Sequence, residues 1–181
     1  RCYYVLGFPR ETKKQMQDTV EFAKSLEVDW SAFSIATPLV GSEMYDELVE
    51  MECIEDGPEM WSNSSYAERL YDTPNLSKEY VNDFAYRANL DVNFVNNYTI
   101  KSGNFEKALD IFGDITNLYP FHIFAWHCLM HIEKGLGNLE KVNKIEENIQ
   151  TLIKTDTRSA DMFAKYGDLL QNSEEELAAI A

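Results

Sequence analysis

The chain has 181 residues, 45% of them hydrophobic, with 16 lysines and arginines against 31 aspartates and glutamates, a net charge of −15. This is enough apolar material for one ordinary core or two small ones. An acidic chain without a basic cluster argues against nucleic acid and anionic membrane surfaces as partners, because both are recognised by concentrated Lys and Arg. No run approaches the roughly 18 apolar residues that span a bilayer, and the given sequence shows no basic start followed by an apolar segment.

The first 56 residues predict a strand–helix–strand–helix series. An apolar run over Cys2–Leu6 ends at Gly7 and Pro9, as a buried strand followed by a turn does. Thr12 and Gln15 form a capping-box pattern that predicts a helix over residues 12–26. A second strand is predicted at 32–36, about 30 residues after the first, which is the spacing of two parallel strands joined by a crossover helix. A second helix is predicted from Ser42 to about residue 56.

The next segment separates two kinds of structure. Residues 57–76 are rich in Pro, Ser and Asn and show no clear period, which predicts a long loop at a domain junction. From Ser77 onwards, apolar residues recur at spacings of three and four, which predicts that the second half is all-helical. The fold class is therefore α/β followed by all-α, with residues 1–56, 57–88 and 89–181 as the successive segments.

The helical half contains an internal repeat. Gly103–Ala108 (GNFEKA) returns as Gly137–Val142 (GNLEKV), 34 residues later, and 34 is the tetratricopeptide period. In that frame, four residues occupy the motif's Ala, Phe, Pro and Trp positions: Ala108, Phe112, Pro120 and Trp126. The second copy is degenerate, with Val142, Glu146 and Lys154 at the first three. Further helices near 156–170 and 174–180, the latter with a Ser173–Glu176 capping box, complete the predicted stack of helical hairpins.

Two strand-end segments carry a family resemblance. The segment YVLGFPRET at 4–12, followed by DWSAFSIATPLVGS at 29–42 and then Met44-Tyr45, resembles the last strands of the radical S-adenosylmethionine family. Arg10, Val40 and Ser42 depart from the family's usual Gly, Pro and Thr. The TPNLS stretch at 73–77 further resembles members that carry an amino-terminal cobalamin-binding domain. The resemblance covers residues 1 to roughly 88 and implies that 1–56 are the last two units of a partial TIM-type parallel β/α barrel.

The resemblance also implies a ligand site. In a parallel barrel, the carboxyl ends of the strands lie on the active-site face. An apolar Val5 suits an adenine ring, and Gly7 permits close approach of a ligand to the backbone. The implied contacts to the adenosyl group of S-adenosylmethionine are Val5, Gly7, Phe8, Pro9, Glu11, Ala36, Thr37 and Pro38. For Glu11 itself, anchoring the turn through backbone N–H groups is one reading, and an exposed carboxylate at a helix start is the favoured one.

The cysteines do not supply a cluster site. The chain has three cysteines that lie far apart in the sequence: Cys2, Cys53 and Cys128. An odd number at these spacings does not form a disulfide framework, which fits a reducing, cytoplasmic location. The spacings also do not match the family's Cys-x3-Cys-x2-Cys motif. We expect that motif upstream of Arg1. The full parent would bind a [4Fe–4S] cluster and cleave S-adenosylmethionine, with cobalamin use left open. The chain alone is expected to be inactive, to contain no catalytic residue or metal site, and to bind none of these cofactors.

The helical half offers a different kind of site. His127 and His131 lie four residues apart on a predicted helix, and Asn93 and Asn97 occupy the same places one repeat earlier. We favour solvated or partner-facing side chains over a metal site, because the Glu of a metalloprotease helix is missing. These four residues would line a groove for a peptide or protein partner, or simply form a polar solvent face. The alternative function is therefore a non-enzymatic, tetratricopeptide-like binding module.

Overall fold

The computed structural model describes residues 1–57 and 68–171. These residues are mostly helical and contain a two-stranded sheet. The chain divides into two compact units, the first made of residues 1–26 and 30–89 and the second of residues 27–29 and 90–181. The domain segments predicted from the sequence, and the assignments of a barrel and of tetratricopeptide repeats, stay predictions.

Within residues 1–57 and 68–90, the structure shows five regular elements: β1 Cys2–Leu6, α1 Lys13–Ser25, β2 Ser31–Ile35, α2 Glu43–Glu50 and α3 Lys78–Leu90. The predicted capping box is confirmed, since Thr12 Oγ1 accepts the Gln15 amide while Gln15 Oε1 accepts the Thr12 amide. Ser42 caps α2 in a similar way, through the amide of Tyr45. Local sequence thus determines where both helices begin.

The two strands of the first unit are parallel, with Cys2 opposite Ser31 and Leu6 opposite Ile35. The predicted parallel pairing is confirmed, although β2 begins and ends one residue earlier than expected. Side chains alternate along β1, so Leu6 is fully buried while Tyr3 and Val5 are 72% and 45% exposed. One side of this strand faces the core and the other is open.

The core of the first unit joins the sheet to the flanking helices. One cluster consists of Leu6, Met16, Ile35, Leu76, Val81 and Ala85. A second cluster, formed by Tyr45, Leu48, Ile54 and Tyr71, lies under α2. Burying a Leu- or Ile-sized side chain stabilises the fold by roughly 1.5 to 3 kcal/mol, so these residues hold the turns that follow β1 and β2 in place.

Up to residue 171, where the described part ends, the second unit contains a π-helical turn, Asp91–Val95, and five helices: α4 Tyr98–Lys101, α5 Phe105–Leu118, α6 Ile123–Gly135, α7 Leu139–Thr155 and α8 Thr157–Tyr166. Consecutive helices from α5 to α8 pack against one another. Gly103 and Gly137 have φ angles of +74° and +79° just before α5 and α7, where residues without a Cβ are favoured.

Several sequence predictions for this half can be placed on the structure. The helix expected near 156–170 is present as α8, while the helix predicted over 174–180 and its Ser173–Glu176 capping box lie outside the described residues. Within the described ranges, the search for a helix both long and apolar enough to cross a bilayer finds none.

Candidate functional site

The candidate site lies where β1 and β2 end. Because Leu6 is opposite Ile35 in a parallel pair, the turns that follow them begin next to each other, and the amide of Ala36 donates to Leu6 O at 2.8 Å. The structure therefore brings the Gly7 turn and the Ala36 turn together, as the predicted site requires. Val5 and Phe8, at 45% and 47% exposure, present apolar surface beside this junction.

Glu11 anchors the Gly7 turn. Its Oε2 accepts hydrogen bonds from the backbone amides of Gly7 at 2.5 Å and Phe8 at 3.1 Å. The favoured interpretation of Glu11 as an exposed helix-start carboxylate is therefore wrong, and the anchoring role is the observed one. Two backbone donors that face the strand end are satisfied by one ionised side chain, which makes such bonds stronger than those between neutral groups.

Gly7 is required at its position for two reasons. Its φ of +84° is a left-handed conformation that side chains disfavour. A Cβ there would also lie 2.9 Å from Val81 Cγ1 and 3.5 Å from Arg69 Nη1. The turn thus packs directly onto the interior of the first unit, and Arg69 is the polar group that it meets.

A cavity of about 490 Å³ opens beside the Gly7 turn. It is bounded by the turn and by the first turns of α1 and α2, with Phe8, Pro9, Arg10, Glu11, Gln15, Glu43, Met44 and Glu47 as its lining. Three carboxylates and one guanidinium therefore face it, and that guanidinium is paired with Glu47, which raises the pKa of Arg10. A cavity with this charge balance favours a cationic ligand over an anionic one.

The predicted ligand contacts divide between the cavity and the strand ends. Phe8, Pro9 and Glu11 line the cavity, whereas the other five, Val5, Gly7, Ala36, Thr37 and Pro38, lie outside its lining. In the second turn, Tyr71 Oη donates to Ala36 O at 3.3 Å, and Thr37 Oγ1 donates to Ile35 O at 3.2 Å. Burial raises the pKa of Tyr71, so this phenol remains a neutral donor.

Arg69 is a site residue that the sequence analysis did not identify. It is only 2% exposed, and its guanidinium carbon lies 4.4 Å from the centre of the Tyr71 ring. Its backbone is held by Asn82, which accepts the Arg69 amide at 2.7 Å and donates to the Arg69 carbonyl at 3.0 Å. A loop residue without periodicity gives no sequence signal for burial, so this position could only be found from the structure.

The free-energy cost of burying the Arg69 guanidinium is only partly offset by its contacts. Among the described residues, none of its three side-chain nitrogens has a hydrogen-bond partner. Burial lowers the pKa of Arg69, while Tyr71, Cys53, Asp72 and Glu11 oppose that shift. Removing a cation from water costs several kcal/mol, and a desolvated cation–π contact returns about 2 kcal/mol.

The residues present do not fit an iron–sulfur cluster. Cys2 and Cys53 are half-buried, and Cys128, in the other unit, is buried with its thiol donating to Phe94 O at 3.3 Å. Burial raises the pKa of Cys128 well above its usual range, which disfavours the thiolate that a metal needs. In the described part of the chain, no group of three or more His, Cys, Asp or Glu side chains could hold a metal ion.

The prediction that Asn93 and Asn97 line an open groove is wrong. Asn93 and Asn97 are 1% and 2% exposed, and the Asn97 amide donates to Asn93 O and to Asp29 O while its oxygen caps α4 at Ile100. The error arises because the Asn97 side chain packs against Asp29 and the start of α4, so its amide bonds the protein's own backbone and not a partner.

The two histidines are also less exposed to solvent than predicted. His127 is 8% exposed, against the expectation of a solvated or partner-facing side chain, and His131 is half-buried. Their rings lie 4.7 Å apart, centre to centre, so the predicted proximity on one helix face is confirmed. Together with Phe94, Phe124 and Cys128 they line a small cavity of about 30 Å³, which is too small for a peptide.

Comparison with known proteins gives a partial similarity. A protein described as an uncharacterized methyltransferase of Pyrococcus horikoshii is 40% identical over 43 residues, a stretch that is 24% of this chain and 9% of that protein. The chain thus matches less than a tenth of the length of this relative. No family model matches the chain, and no solved structure matches it.

Proposed function

We propose that the paired strand ends of the first unit bind the adenosyl group of S-adenosylmethionine in a methyltransferase. One observation carries this proposal: the parallel pairing of Leu6 with Ile35 places the Gly7 turn beside the Ala36 turn. Ligands of parallel α/β folds bind at the carboxyl ends of strands, so this junction is where a nucleotide-type ligand is expected. The partial similarity to an uncharacterized methyltransferase supports the same assignment.

The chemistry of the junction suits this ligand. Val5 and Phe8 offer exposed apolar surface to an adenine ring. The cavity beside them is lined by Glu11, Glu43 and Glu47, whose carboxylates favour a positively charged donor molecule. S-adenosylmethionine supplies an activated methyl group on a sulfonium cation. The protein's part is to hold the adenosyl group through the two turns and to orient the cationic centre over the acidic lining.

Membership of the radical S-adenosylmethionine family is a finer part of this proposal. It depends on the resemblance of residues 4–12, 29–45 and 73–77 to that family, and cobalamin use depends on the last of these alone. The cysteines described here do not fit a [4Fe–4S] cluster, so no step through a cluster is assigned to these residues. Iron and sulfide reconstitution of this chain should give no iron–sulfur absorbance, and a stoichiometric cluster would contradict the assignment.

Contrary to the expectation from the sequence that the chain alone binds no cofactor, this proposal requires the two turns to bind the adenosyl group without the rest of a larger protein. Binding of S-adenosylhomocysteine, measured by isothermal titration calorimetry on the 181-residue chain, tests it. Val5→Ser should weaken binding severalfold, because it removes apolar surface at the junction. Tyr3→Ser is the matched control, since Tyr3 lies on the same strand and the same exposed side but two residues farther from the turn. Absence of binding by the wild-type chain, or equal weakening in both variants, would overturn the proposal.

A further inference from the structure

The guanidinium of Arg69 is buried without a hydrogen-bond partner among the described residues, which indicates that a ligand is missing. Buried side-chain polar groups are hydrogen-bonded in the large majority of cases, and buried charges are paired. Arg69 departs from both rules: it is 2% exposed, and all three of its guanidinium nitrogens are without a hydrogen-bond partner in the described part of the chain. A side chain with five N–H donors is therefore held in the interior with those donors unused.

The contacts that Arg69 does make leave its donors free for a ligand. Tyr71 lies against the guanidinium, with 4.4 Å from the ring centre to the guanidinium carbon, which is a cation–π contact and not a hydrogen bond. The nearby carboxylate of Glu11 is already used by the amides of Gly7 and Phe8. Asn82 bonds only the backbone of Arg69. The backbone of Arg69 is thus held by hydrogen bonds, whereas its guanidinium is not.

We propose that Arg69 is the oxyanion-recognition residue of the ligand site at the strand ends. The fork of N–H groups matches a carboxylate or a phosphate through two parallel hydrogen bonds. Its ligand is the carboxylate of the adenosyl compound's amino-acid moiety or an oxyanion of a second bound molecule. The location of this subsite rests on the proposed function, whereas oxyanion binding by Arg69 can be tested without it.

The approach to Arg69 is by way of Gly7. Nη1 lies 3.5 Å from the position that a Cβ of Gly7 would take, so the turn covers the guanidinium with bare backbone. The turn moves aside, or the Arg69 side chain swings toward the turn, when the anion binds. The acidic lining of the neighbouring cavity and the cationic Arg69 then recognise opposite charges of one zwitterionic ligand or of two ligands.

The test follows the Arg69 guanidinium of the full chain by nitrogen-15 NMR, with its signal assigned by its loss in Arg69→Lys. The probes are S-adenosylhomocysteine, 5′-methylthioadenosine, which lacks the carboxylate, and inorganic phosphate. We expect a saturable shift of the Arg69 signal with S-adenosylhomocysteine or phosphate and none with 5′-methylthioadenosine. A shift with phosphate alone assigns the anion to a second molecule and supports the proposal; no shift with either anion overturns it.

Calorimetry with variants gives an independent measurement. Arg69→Met, an apolar replacement of similar length, should fold and should weaken S-adenosylhomocysteine or phosphate binding at least tenfold without changing 5′-methylthioadenosine binding. Arg158→Met is the matched control, because Arg158 also lies over an aromatic ring, Phe121 at 4.1 Å, but is exposed. Unchanged anion binding in Arg69→Met overturns the inference. Failure of both adenosyl compounds to bind the wild-type chain contradicts the proposed function instead.

Discussion

Glu11 Oε2 lies 2.5 Å from the backbone nitrogen of Gly7, so a carboxylate four residues downstream fixes the turn that ends β1. Glu11→Ala would leave the amides of Gly7 and Phe8 without their acceptor. We expect this change to lower the free energy of unfolding of the first unit by about 1 to 3 kcal/mol. Urea unfolding, followed through NMR signals of α1, measures it.

Glu79→Ala is the control for this variant. Glu79 is an exposed carboxylate in the first turn of α3, in the same unit. Its loss should change stability by no more than about 0.5 kcal/mol. Equal effects of the two substitutions would show that the hydrogen bonds of Glu11 do not hold the turn.

His122 should make the second unit sensitive to acid. Burial lowers the pKa of His122 to about 4, below the value of about 6.5 expected in the unfolded chain. Between these two pH values, His122 is protonated in the unfolded state but not in the folded state. The free energy of unfolding of the second unit should therefore be highest above about pH 6.5 and fall by up to about 3 kcal/mol as the pH drops through 4. Urea unfolding from pH 7 to pH 4 measures this loss.

His122→Asn separates this effect from the titration of carboxylates. His122 Nδ1 caps α6 by accepting the amide of Ala125 at 3.3 Å, and an asparagine at this position keeps a capping oxygen but does not titrate. The variant should lose less stability than the wild type over the same pH range. An identical pH dependence would contradict the assignment to His122.

Two glycines of the second unit should respond oppositely to alanine. A Cβ at Gly135 would overlap the ring of Phe105, whereas a Cβ at Gly113, in α5, would meet nothing within 4 Å. We expect Gly135→Ala to destabilise the α5–α6 packing by about 1 to 3 kcal/mol. Gly113→Ala should stabilise by about 0.5 to 1 kcal/mol, because alanine loses less backbone entropy in a helix. Melting temperatures that shift in the same direction would refute the packing seen here.

Glu133 links α6 to α7. Its carboxylate accepts Lys141 Nζ at 2.8 Å and Asn138 Nδ2 at 2.6 Å. Burial acts to raise the pKa of Glu133, but these two partners outweigh it and the pKa is lowered. A double-mutant cycle with Glu133→Gln and Lys141→Met should give a coupling of about 0.5 to 1 kcal/mol, since Lys141 is mostly exposed. A coupling near zero would show that the pair is incidental.

Local signals in the sequence predicted local structure. The capping box of Thr12 and the cap at Ser42 define where helices begin because the bonds that form them lie within three residues. The spacing between the two apolar runs likewise predicted the parallel pairing of β1 with β2. The Gly7 and Ala36 turns of the candidate site follow from these elements.

Burial set by tertiary contacts was not predictable in the same way. The side chain of Asn97 packs against Asp29 and the start of α4, which the spacing between repeats does not encode. Arg69 lies in an aperiodic loop, and its position beside Gly7 and against the Tyr71 ring is set by tertiary contacts that no sequence spacing encodes. The choice between two roles for Glu11 required the geometry of the turn itself.

Amide chemical-shift mapping of the 181-residue chain, titrated with S-adenosylhomocysteine, tests most directly whether the paired strand ends bind an adenosyl group. We expect saturable shifts at Val5, Gly7, Phe8 and Thr37, with the signals of α7 unchanged. Absence of saturable shifts, or shifts centred in the second unit, would contradict the proposed site.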